Sequence, residues 1–412
     1  MGRILVKKFG GTSLKNIECI LRVAGIVQQY VERGYRLVVV VSAMGGFTDE
    51  VVASAREVAD LASGTQLSEY DVAVSSGEQI SCGLLALALQ NKNIKAKSRM
   101  GWQVPIKTTA EHSRARITEI DADSLLKLLN EYEVVVVAGF QGVHDSHITT
   151  LGRGGSDTSA VAIAAALNLD TCYVYTDVTG VYTADPSLVL NARKLNHVTY
   201  NDMVEMSASG GAILHAHSVE IAMRHGVRIY ALSTFQETKG TLVSFEREEE
   251  MESKIITGIT ASKKIACASL IQVPATRGMA AVLSPIAENN IDVDIITQTM
   301  CGEFCNITFT VREEDLHKIQ DILTRHRNSI MYERLMVIDN LAKVSLVGTC
   351  MISRPGVASR VFNALANSDI AVLAVSTSEM KITVLIDAQN AESALNLLHT
   401  EFALDRESVP CV

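Results

Sequence analysis

Three segments of the sequence combine glycine-rich turns with charged side chains, a combination that suits phosphate and carboxylate ligands. The first, Lys8–Ser13, follows an apolar run, Ile4–Phe9, with the pattern of a buried strand. Paired glycines let backbone N–H groups approach a phosphate, and the N-terminus of a following helix adds positive potential. A tight turn with a surface lysine explains the segment equally well. The segment matches neither the P-loop nor the dinucleotide-binding fingerprint.

The second segment, Gly152–Thr158, opens an alanine-rich helical pattern. Ser156, Asp157 and Thr158 are all N-cap residue types, and the free N–H groups of a first helical turn can bind an anion. Asp157 is also explained as a simple helix cap. Arg153 is harder to explain by structure alone, and its planar guanidinium suits a carboxylate.

The third segment, Tyr175–Pro186, has the pattern of a strand that ends in a polar loop. Gly180 suits the turn and Pro186 ends it. Such a loop can enclose a nucleoside with Tyr182 packed beside it, and a plain connector with a core tyrosine is the alternative.

The elements that must position these segments alternate between strand and helix over residues 1–245, which is typical of an α/β domain with an open, mostly parallel sheet sandwiched by helices. The predicted strands are Ile4–Phe9, Leu37–Ser42, Ile94–Ser98, Val134–Ala138, Cys172–Tyr175 and Val227–Leu232. The predicted helices include Asn16–Arg33, Ser124–Glu131 and Thr158–Leu167.

A charge run at Glu246–Glu252 is typical of a solvated linker, and an internal repeat follows it. Each copy has the order strand, helix, strand, strand, helix, which predicts a ferredoxin-like βαββαβ unit. Two such units can pair and cover one another's sheet edges. The predicted boundaries are 1–245 for the α/β domain, 246–262 for the linker, and 263–338 and 339–412 for the repeats.

Composition excludes several classes of function. With a net charge of −9, the chain repels nucleic acid. No apolar run approaches the roughly 18 residues needed to cross a bilayer, and the N-terminus lacks a signal-peptide pattern, so we expect no membrane partner and a cytoplasmic location. The eight cysteines lack metal-site spacing. Two histidine pairs, His144 with His147 and His215 with His217, lack further ligands, so no metal-binding cluster is expected.

The sequence resembles the aspartokinases of the amino acid kinase family in five motifs that occur in the family's order: Lys8–Ser13, Val41–Gly45, Ser76–Glu78, Gly152–Thr158 and Tyr175–Pro186. The C-terminal repeat, with Arg354–Val357 and Ser376–Glu379, resembles the paired ACT domains of that family. The resemblance covers nearly the whole chain. It implies ATP-dependent phosphorylation of the side-chain carboxylate of L-aspartate with Mg²⁺, giving 4-phospho-L-aspartate for lysine (diaminopimelate), threonine and methionine synthesis.

The resemblance also implies roles for individual residues. Lys8 and Asp157 would be catalytic, and aspartate would be bound by Ser42, Thr48, Glu78 and Arg153. The nucleotide and its phosphates would be bound by Lys8, Phe9, Gly10, Gly11, Thr176, Asp177 and Tyr182. An amino-acid effector would be bound by Gln298, Ser378 and Glu379, and a homodimer or higher homo-oligomer is expected.

The sequence departs from the family pattern at several positions. Ser187 and Ala212 stand where the family usually has arginine and lysine for the nucleotide phosphates. Arg193, Lys194 or His217 are candidates to compensate. In the repeat, Asp292 and Ala371 replace asparagines that are common in effector-binding members.

Two alternative functions remain open from the sequence. Another amino acid kinase would act on glutamate, acetylglutamate or a nucleoside monophosphate. A catalytically silent amino-acid sensor is the second alternative, suggested by the two missing cations.

Overall fold

The structure is a computed structural model that describes residues 3–61, 63–211, 213–245, 256–276, 278–349, 351 and 356–406. The chain divides into two compact units, neither of which is contiguous in sequence. The first unit comprises Met1–Tyr182, Lys194–Ala208 and Ala212–Glu252. The second comprises Thr183–Arg193, Ser209–Gly211 and Ser253–Val412. Ala212, Arg354, Pro355 and the charge run of the predicted linker lie outside the described residues.

The first unit contains strands and helices in alternation. Its strands are β1 (Ile4–Phe9), β2 (Arg36–Val41), β3 (Ala96–Arg99), β4 (Ile106–Thr108), β5 (Ile117–Ile120), β6 (Val134–Ala138), β7 (Gln141–His144), β8 (His147–Thr150), β9 (Thr171–Thr176), β10 (His197–Thr199), β11 (Arg228–Ser233) and β12 (Thr241–Ser244). Its helices are α1 (Ile17–Glu32), α2 (Phe47–Val58), α3 (Gly64–Val74), α4 (Ser76–Gln90), α5 (Ala122–Glu131), α6 (Gly155–Ala166), α7 (Tyr200–Ala208) and α8 (Ala216–His225).

The main sheet of this unit has the strand order β10-β12-β11-β9-β1-β2-β6-β3. Its pairs are parallel except that of β11 with β12. β2 and β6 are almost wholly buried valine runs, as expected for a sheet with helices on both faces. The predicted open, mostly parallel sheet is therefore confirmed. The strands after β1 are added on one side of it, beginning with β2, and the later strands on its other side, beginning with β9. The strand order therefore switches direction at β1, and a ligand is expected at the carboxyl end of this strand.

A second, four-stranded sheet has the order β5-β4-β7-β8. These strands are three or four residues long, and the sequence analysis did not predict them. The strand β8 leads directly into the Gly152–Thr158 segment.

The helices α3 and α4 follow one another from Gly64 to Gln90 and together are long and apolar enough to cross a membrane by length and composition. The helical conformation is interrupted between them by a turn at Ser75. Half of the most apolar part of this segment is buried inside the protein. The segment also carries two buried carboxylates, Asp71 and Glu78. These features are typical of core helices.

The second unit is built on one six-stranded antiparallel sheet with the order β14-β15-β13-β16-β18-β17. Its strands are β13 (Gly258–Pro274), β14 (Ile296–Cys301), β15 (Phe304–Arg312), β16 (Arg334–Val347), β17 (Ala374–Thr377) and β18 (Lys381–Asp387). Its helices are α9 (Gly278–Glu288), α10 (Leu316–Arg325), α11 (Arg327–Ile330), α12 (Val357–Asn367) and α13 (Ala391–Glu401).

The two long strands β13 and β16 pair along nearly their whole length and are shared by both repeats. The first half of β16 supplies the fourth strand of the first repeat, beside the end of β13. The fourth strand of the second repeat is the start of β13, where Gly258 pairs with Val347 and Ser262 with Lys343. Each repeat thus has the complete ferredoxin-like strand set that was predicted.

Two boundaries differ from the prediction. Residues 258–262, predicted as linker, belong to the strand β13. The prediction was wrong because the neighbouring charge run obscured a short apolar pattern. Thr183–Arg193, predicted within the first domain, belongs to the second unit. Ala184 and Val189 are buried in the apolar core of the second repeat, and the Thr183 hydroxyl lies 2.9 Å from His399 Nε2 on α13.

Candidate active site

Lys8 and Asp157 form a buried ion pair at the carboxyl end of β1. Lys8 Nζ lies 2.5 Å from Asp157 Oδ1, and both side chains are about nine-tenths buried. Lys8 is carried by β1, and Asp157 lies in the first turn of α6. The strand and the helix N-terminus therefore bring together the two residues that the sequence analysis expected to be catalytic.

The glycine turn after β1 is fixed by its neighbours. The Gly10 N–H donates to the Tyr175 carbonyl over 3.1 Å, and the Gly11 carbonyl accepts from the Gly45 N–H over 3.1 Å. The Phe9 and Tyr175 rings stack at 4.6 Å. The Gly11 N–H makes no hydrogen bond within the described part of the chain, whereas that of Gly10 is already used. Gly11 is thus the glycine whose amide remains available to a ligand.

Glu78 lies in the first turn of α4 and faces the same region. Its Oε1 accepts from the Ala43 N–H over 2.9 Å, whereas its Oε2 is buried and has no hydrogen-bond partner among the described residues. Burial raises the pKa of this carboxyl to about 7, against the lowering effects of the Ala43 hydrogen bond and the Lys8 charge. A buried carboxylate with an unused oxygen suits a cationic ligand.

The close approach of α4 to the loop after β2 depends on Gly77. A Cβ at this position would lie 2.6 Å from the Ala43 Cβ and 2.8 Å from the Phe47 ring. Ser42 follows β2 and donates its N–H to the Phe9 carbonyl over 3.1 Å, and Thr48 is half-buried in the first turn of α2. Ser42, Thr48 and Glu78 therefore belong to loops and helix ends that adjoin the β1 turn.

Arg153 lies in the turn between β8 and α6, four residues before Asp157. Its side chain is exposed and makes no hydrogen bond or ion pair with another residue in the described ranges. The next residue, Gly154, has φ +68°, and a Cβ there would lie 2.2 Å from the His215 Cβ. The turn thus requires glycine at position 154, and the Arg153 guanidinium is left available to an anion.

The predicted nucleotide loop begins at the end of β9, the neighbour of β1. The Thr176 hydroxyl bonds within the loop to Val178, Asp177 is exposed, and the Tyr182 hydroxyl lies 2.6 Å from that of Thr179. Thr241 orders the turn, since its hydroxyl oxygen accepts from the Val181 N–H over 2.8 Å.

Sequence reasoning missed residues whose only signal was their position after a strand. The Thr234 N–H, just beyond β11, donates to the Thr176 carbonyl, and the Thr234 hydroxyl lies 2.7 Å from that of Ser13. His215 was interpreted as packing or surface, and its imidazole does pack on the Gly154 turn. Its Nδ1 is nevertheless buried without a partner among the described residues, and burial lowers its pKa.

The candidates to replace the missing cations lie in different surroundings. Lys194 pairs with Tyr182 in an isolated antiparallel bridge, beside the nucleotide loop. Arg193 belongs to the second unit, where its N–H donates to the Thr183 hydroxyl. His217 is half-buried, and its Nδ1 lies 3.3 Å from Glu220 Oε2. Ser187 bonds locally to Asp185, also in the second unit.

The three candidate effector residues do not come together within one chain. Gln298 lies on β14, at one edge of the six-stranded sheet. Ser378 and Glu379 form the turn after β17, at the opposite edge, with four strands between. Adjacent strands lie about 4.8 Å apart, so the two edges are separated by more than about 20 Å.

Across the described ranges, no group of three or more His, Cys, Asp or Glu side chains is arranged to hold a metal ion. The His144 Nδ1 instead lies 2.9 Å from the Thr108 carbonyl, in the β7–β8 hairpin. The cysteines at positions 19, 82, 172, 267, 301 and 305 are free.

Comparisons with known proteins identify the family to which the chain is similar. Residues 3–233 match the model of the amino acid kinase family, and residues 344–402 match an ACT domain. The chain is 44% identical over 406 residues to an aspartate kinase of Pseudomonas putida, with 98% of each chain covered.

Two solved structures of E. coli aspartokinase III are similar to the chain, each with 25% identity. The complex with aspartate and ADP, in the R-state, has a TM-score of 0.80 and covers 97% of this chain and 99% of its own. The complex with lysine and aspartate, in the T-state, has a TM-score of 0.73 and the same coverage. The expected α/β kinase fold with C-terminal ACT architecture is thereby confirmed.

Proposed function

Because this chain belongs to the aspartate kinases of the amino acid kinase family, we propose that it transfers the γ-phosphoryl group of ATP to the side-chain carboxylate of L-aspartate. The products are ADP and 4-phospho-L-aspartate, the precursor of aspartate-derived amino acids. The observation that carries the proposal is the buried Lys8–Asp157 pair at the carboxyl end of β1, adjoined by Glu78 and preceded in the α6 turn by Arg153.

The acceptor chemistry needs no general base. The side-chain carboxylate of aspartate has a reference pKa near 3.9, so it is an ionised nucleophile at neutral pH. One of its oxygens attacks the γ-phosphorus as the bond to the ADP oxygen breaks. Catalysis therefore depends on alignment and on neutralising negative charge. Lys8 and the Gly11 N–H supply positive charge and a donor where the phosphoryl group would pass.

Substrate recognition is assigned to two groups of opposite charge. The Arg153 guanidinium, which has no partner among the described residues, suits a carboxylate of aspartate. Glu78 has a buried, unused oxygen that suits the ammonium group. Ser42 and Thr48 supply hydroxyl groups beside them. This arrangement favours an acidic amino acid over a nucleoside monophosphate, which carries no ammonium.

A Mg²⁺ ion fits the donor set as a phosphate-bound ion. Such ions are usually held by one or two carboxylates together with substrate phosphates, and Asp157 offers a carboxylate oxygen beside Lys8. When bound, the ion would neutralise phosphate charge. Thr176, Asp177 and Tyr182 are proposed to hold the nucleotide, with Lys194 next to Tyr182 as a compensating cation.

The second unit is proposed to bind an amino-acid effector, as the lysine complex of the E. coli relative suggests. Gln298 on one sheet edge, and Ser378 with Glu379 on the other, would then belong to two separate positions in each chain. We also propose a homodimer or higher oligomer, since the edge strands β14 and β17 carry open backbone groups. The free, mostly buried cysteines favour a cytoplasmic, reducing compartment.

ADP release with a panel of acceptors tests the proposal. Turnover is expected with ATP and L-aspartate, and little with glutamate, acetylglutamate or uridine monophosphate. The same assay with lysine, threonine, methionine or diaminopimelate added tests regulation. Binding of amino acids by calorimetry without turnover on any acceptor would identify a silent sensor instead. A monomer by light scattering at assay concentration would contradict the oligomer.

A further inference from the structure

Asp71, on α3, is a fully buried carboxylate with five hydrogen-bonding contacts. Its Oδ1 accepts from the Ser113 N–H over 3.0 Å and from the Thr150 hydroxyl over 2.5 Å. Its Oδ2 lies 2.7 Å from His112 Nδ1, 3.1 Å from the Ser113 nitrogen and 3.2 Å from the Thr150 nitrogen. One side chain therefore connects α3 to the loop before β5 and to the end of β8.

Two of the three residues that Asp71 contacts, Ser113 and Thr150, adjoin the turn that carries Arg153. Thr150 is the last residue of β8, three positions before Arg153. Ser113 has φ +66°, an unusual conformation for this residue, and its carbonyl oxygen lies 3.2 Å from where a Cβ of Gly152 would be. The Thr150 carbonyl also accepts from the Ala115 N–H over 2.9 Å. The loop and the turn are thus fixed to each other through the same carboxylate.

Asp71 itself has no exposed surface and cannot touch a substrate. An exposed arginine on a turn loses side-chain entropy when it binds, and an unfixed turn would add backbone entropy to that cost. Fixing the turn before the ligand arrives removes the second part of the cost.

We propose that Asp71 is a positioning residue for aspartate binding, acting through Thr150 and Ser113 to hold the turn of Arg153. The proposal rests on the proposed function, in which Arg153 binds a carboxylate of the substrate. It assigns to Asp71 an effect on the KM for aspartate, with no effect on the KM for ATP.

The substitution Thr150→Val removes the hydroxyl that donates to Asp71 and keeps the side-chain shape. We expect the KM for aspartate to rise about tenfold, the order expected for a lost hydrogen bond to a charged group, and the KM for ATP to change less than about twofold. Thr150→Ser keeps a hydroxyl and should restore the wild-type KM. Asp71→Asn should act in the same direction.

A double-mutant cycle shows whether the effect passes through Arg153. In the Arg153→Ala background, Thr150→Val should raise the KM for aspartate no further. Equal effects in both backgrounds would overturn the positioning role. The matched control is Asp121→Asn, which removes a carboxylate that bonds to Ser124 at the start of α5 and should leave the KM for aspartate unchanged.

Hydrogen exchange separates a failure of this inference from a failure of the proposed function. The amides of residues 151–155 should exchange about tenfold faster in Thr150→Val than in the wild-type protein, whatever the substrate is, whereas Asp121→Asn should not change them. Unchanged exchange at these amides would overturn the proposal even in an active enzyme. Faster exchange without aspartate-dependent turnover in the wild type would retain the fixed turn but reject its role in binding aspartate.

Discussion

Glu78 is expected to lower the stability of the protein in exchange for substrate recognition. Burial raises its pKa from the ordinary 4.5 to about 7. A carboxyl group with a raised folded-state pKa makes its full contribution to stability at pH values below its unfolded-state pKa. This contribution is lost as the pH rises through the folded-state pKa. At pH 8 the folded protein therefore contains an ionised, buried carboxylate at a free-energy cost.

The size of this cost follows from the shift. A difference of about 2.5 pKa units, at 1.36 kcal/mol each, corresponds to about 3 kcal/mol. The substitution Glu78→Gln retains an oxygen that can accept from the Ala43 N–H and cannot ionise. We therefore expect the free energy of unfolding of the variant to exceed that of the wild type by about 3 kcal/mol at pH 8. The difference should be smaller at pH 6 and almost zero at pH 4.5.

Urea denaturation between pH 4.5 and 8 measures this difference. The control is Glu119→Gln, which makes the same substitution at a carboxylate that is 60% exposed and paired with Lys107 on the surface. The same Glu78→Gln variant should bind aspartate at least tenfold more weakly, because a charged partner of the ammonium is lost. Wild-type and Glu78→Gln stability curves that run parallel across this pH range would refute the raised pKa, and an unchanged KM would refute the ammonium contact.

Three other substitutions test separate parts of the structure. Lys8→Ala should lower kcat about a hundredfold or more in the ADP-release assay, since it removes charge from the phosphoryl path; near-wild-type turnover would remove Lys8 from the chemistry. Arg153→Ala should chiefly raise the KM for aspartate, because its contact exists in the ground state; an unchanged KM would contradict this. Lys7 is fully buried, and burial lowers its pKa from 10.5 to about 7. Lys7→Met should therefore be more stable than the wild type near pH 7. This gain in stability should shrink as the pH rises towards 10.5, because the lysine of the unfolded chain then also loses its proton. A pH-independent difference in urea denaturation would reject that assignment.

The strands at the centre of the main sheet of the first unit could be predicted because they are continuous, mostly buried apolar runs. β1 and β6 have the predicted bounds, and β2 and β9 differ by a residue at their ends. The small sheet around β7 and β8 could not be predicted, since its strands are short and stabilised by pairing rather than by an apolar pattern. The ion pair of Lys8 with Asp157 joins residues distant in sequence, and only the family resemblance suggested that they share a site.

Residues with a conformational or packing role were harder to identify than charged ones. Asp71 appears in the sequence as one acid on a helical segment, and its five hydrogen-bonding contacts depend on a loop and a strand from other parts of the chain. The approach of His215 to Gly154 likewise depends on how α6 and α8 pack. The assignment of 183–193 failed for a similar reason, since its buried residues are few and most of the residues that surround them lie far along the chain, between Ile256 and Leu404.

The shared strands β13 and β16 have a consequence for how the second unit can be divided. A cut between the two repeats would leave the second without its outer strand, because that strand lies before the first repeat in the chain. The second repeat should then not be expressible as an independent fold, and the whole six-stranded sheet is expected to melt as one cooperative body. Gene fragments that begin near residue 339 would produce an incomplete sheet with an exposed edge prone to aggregation.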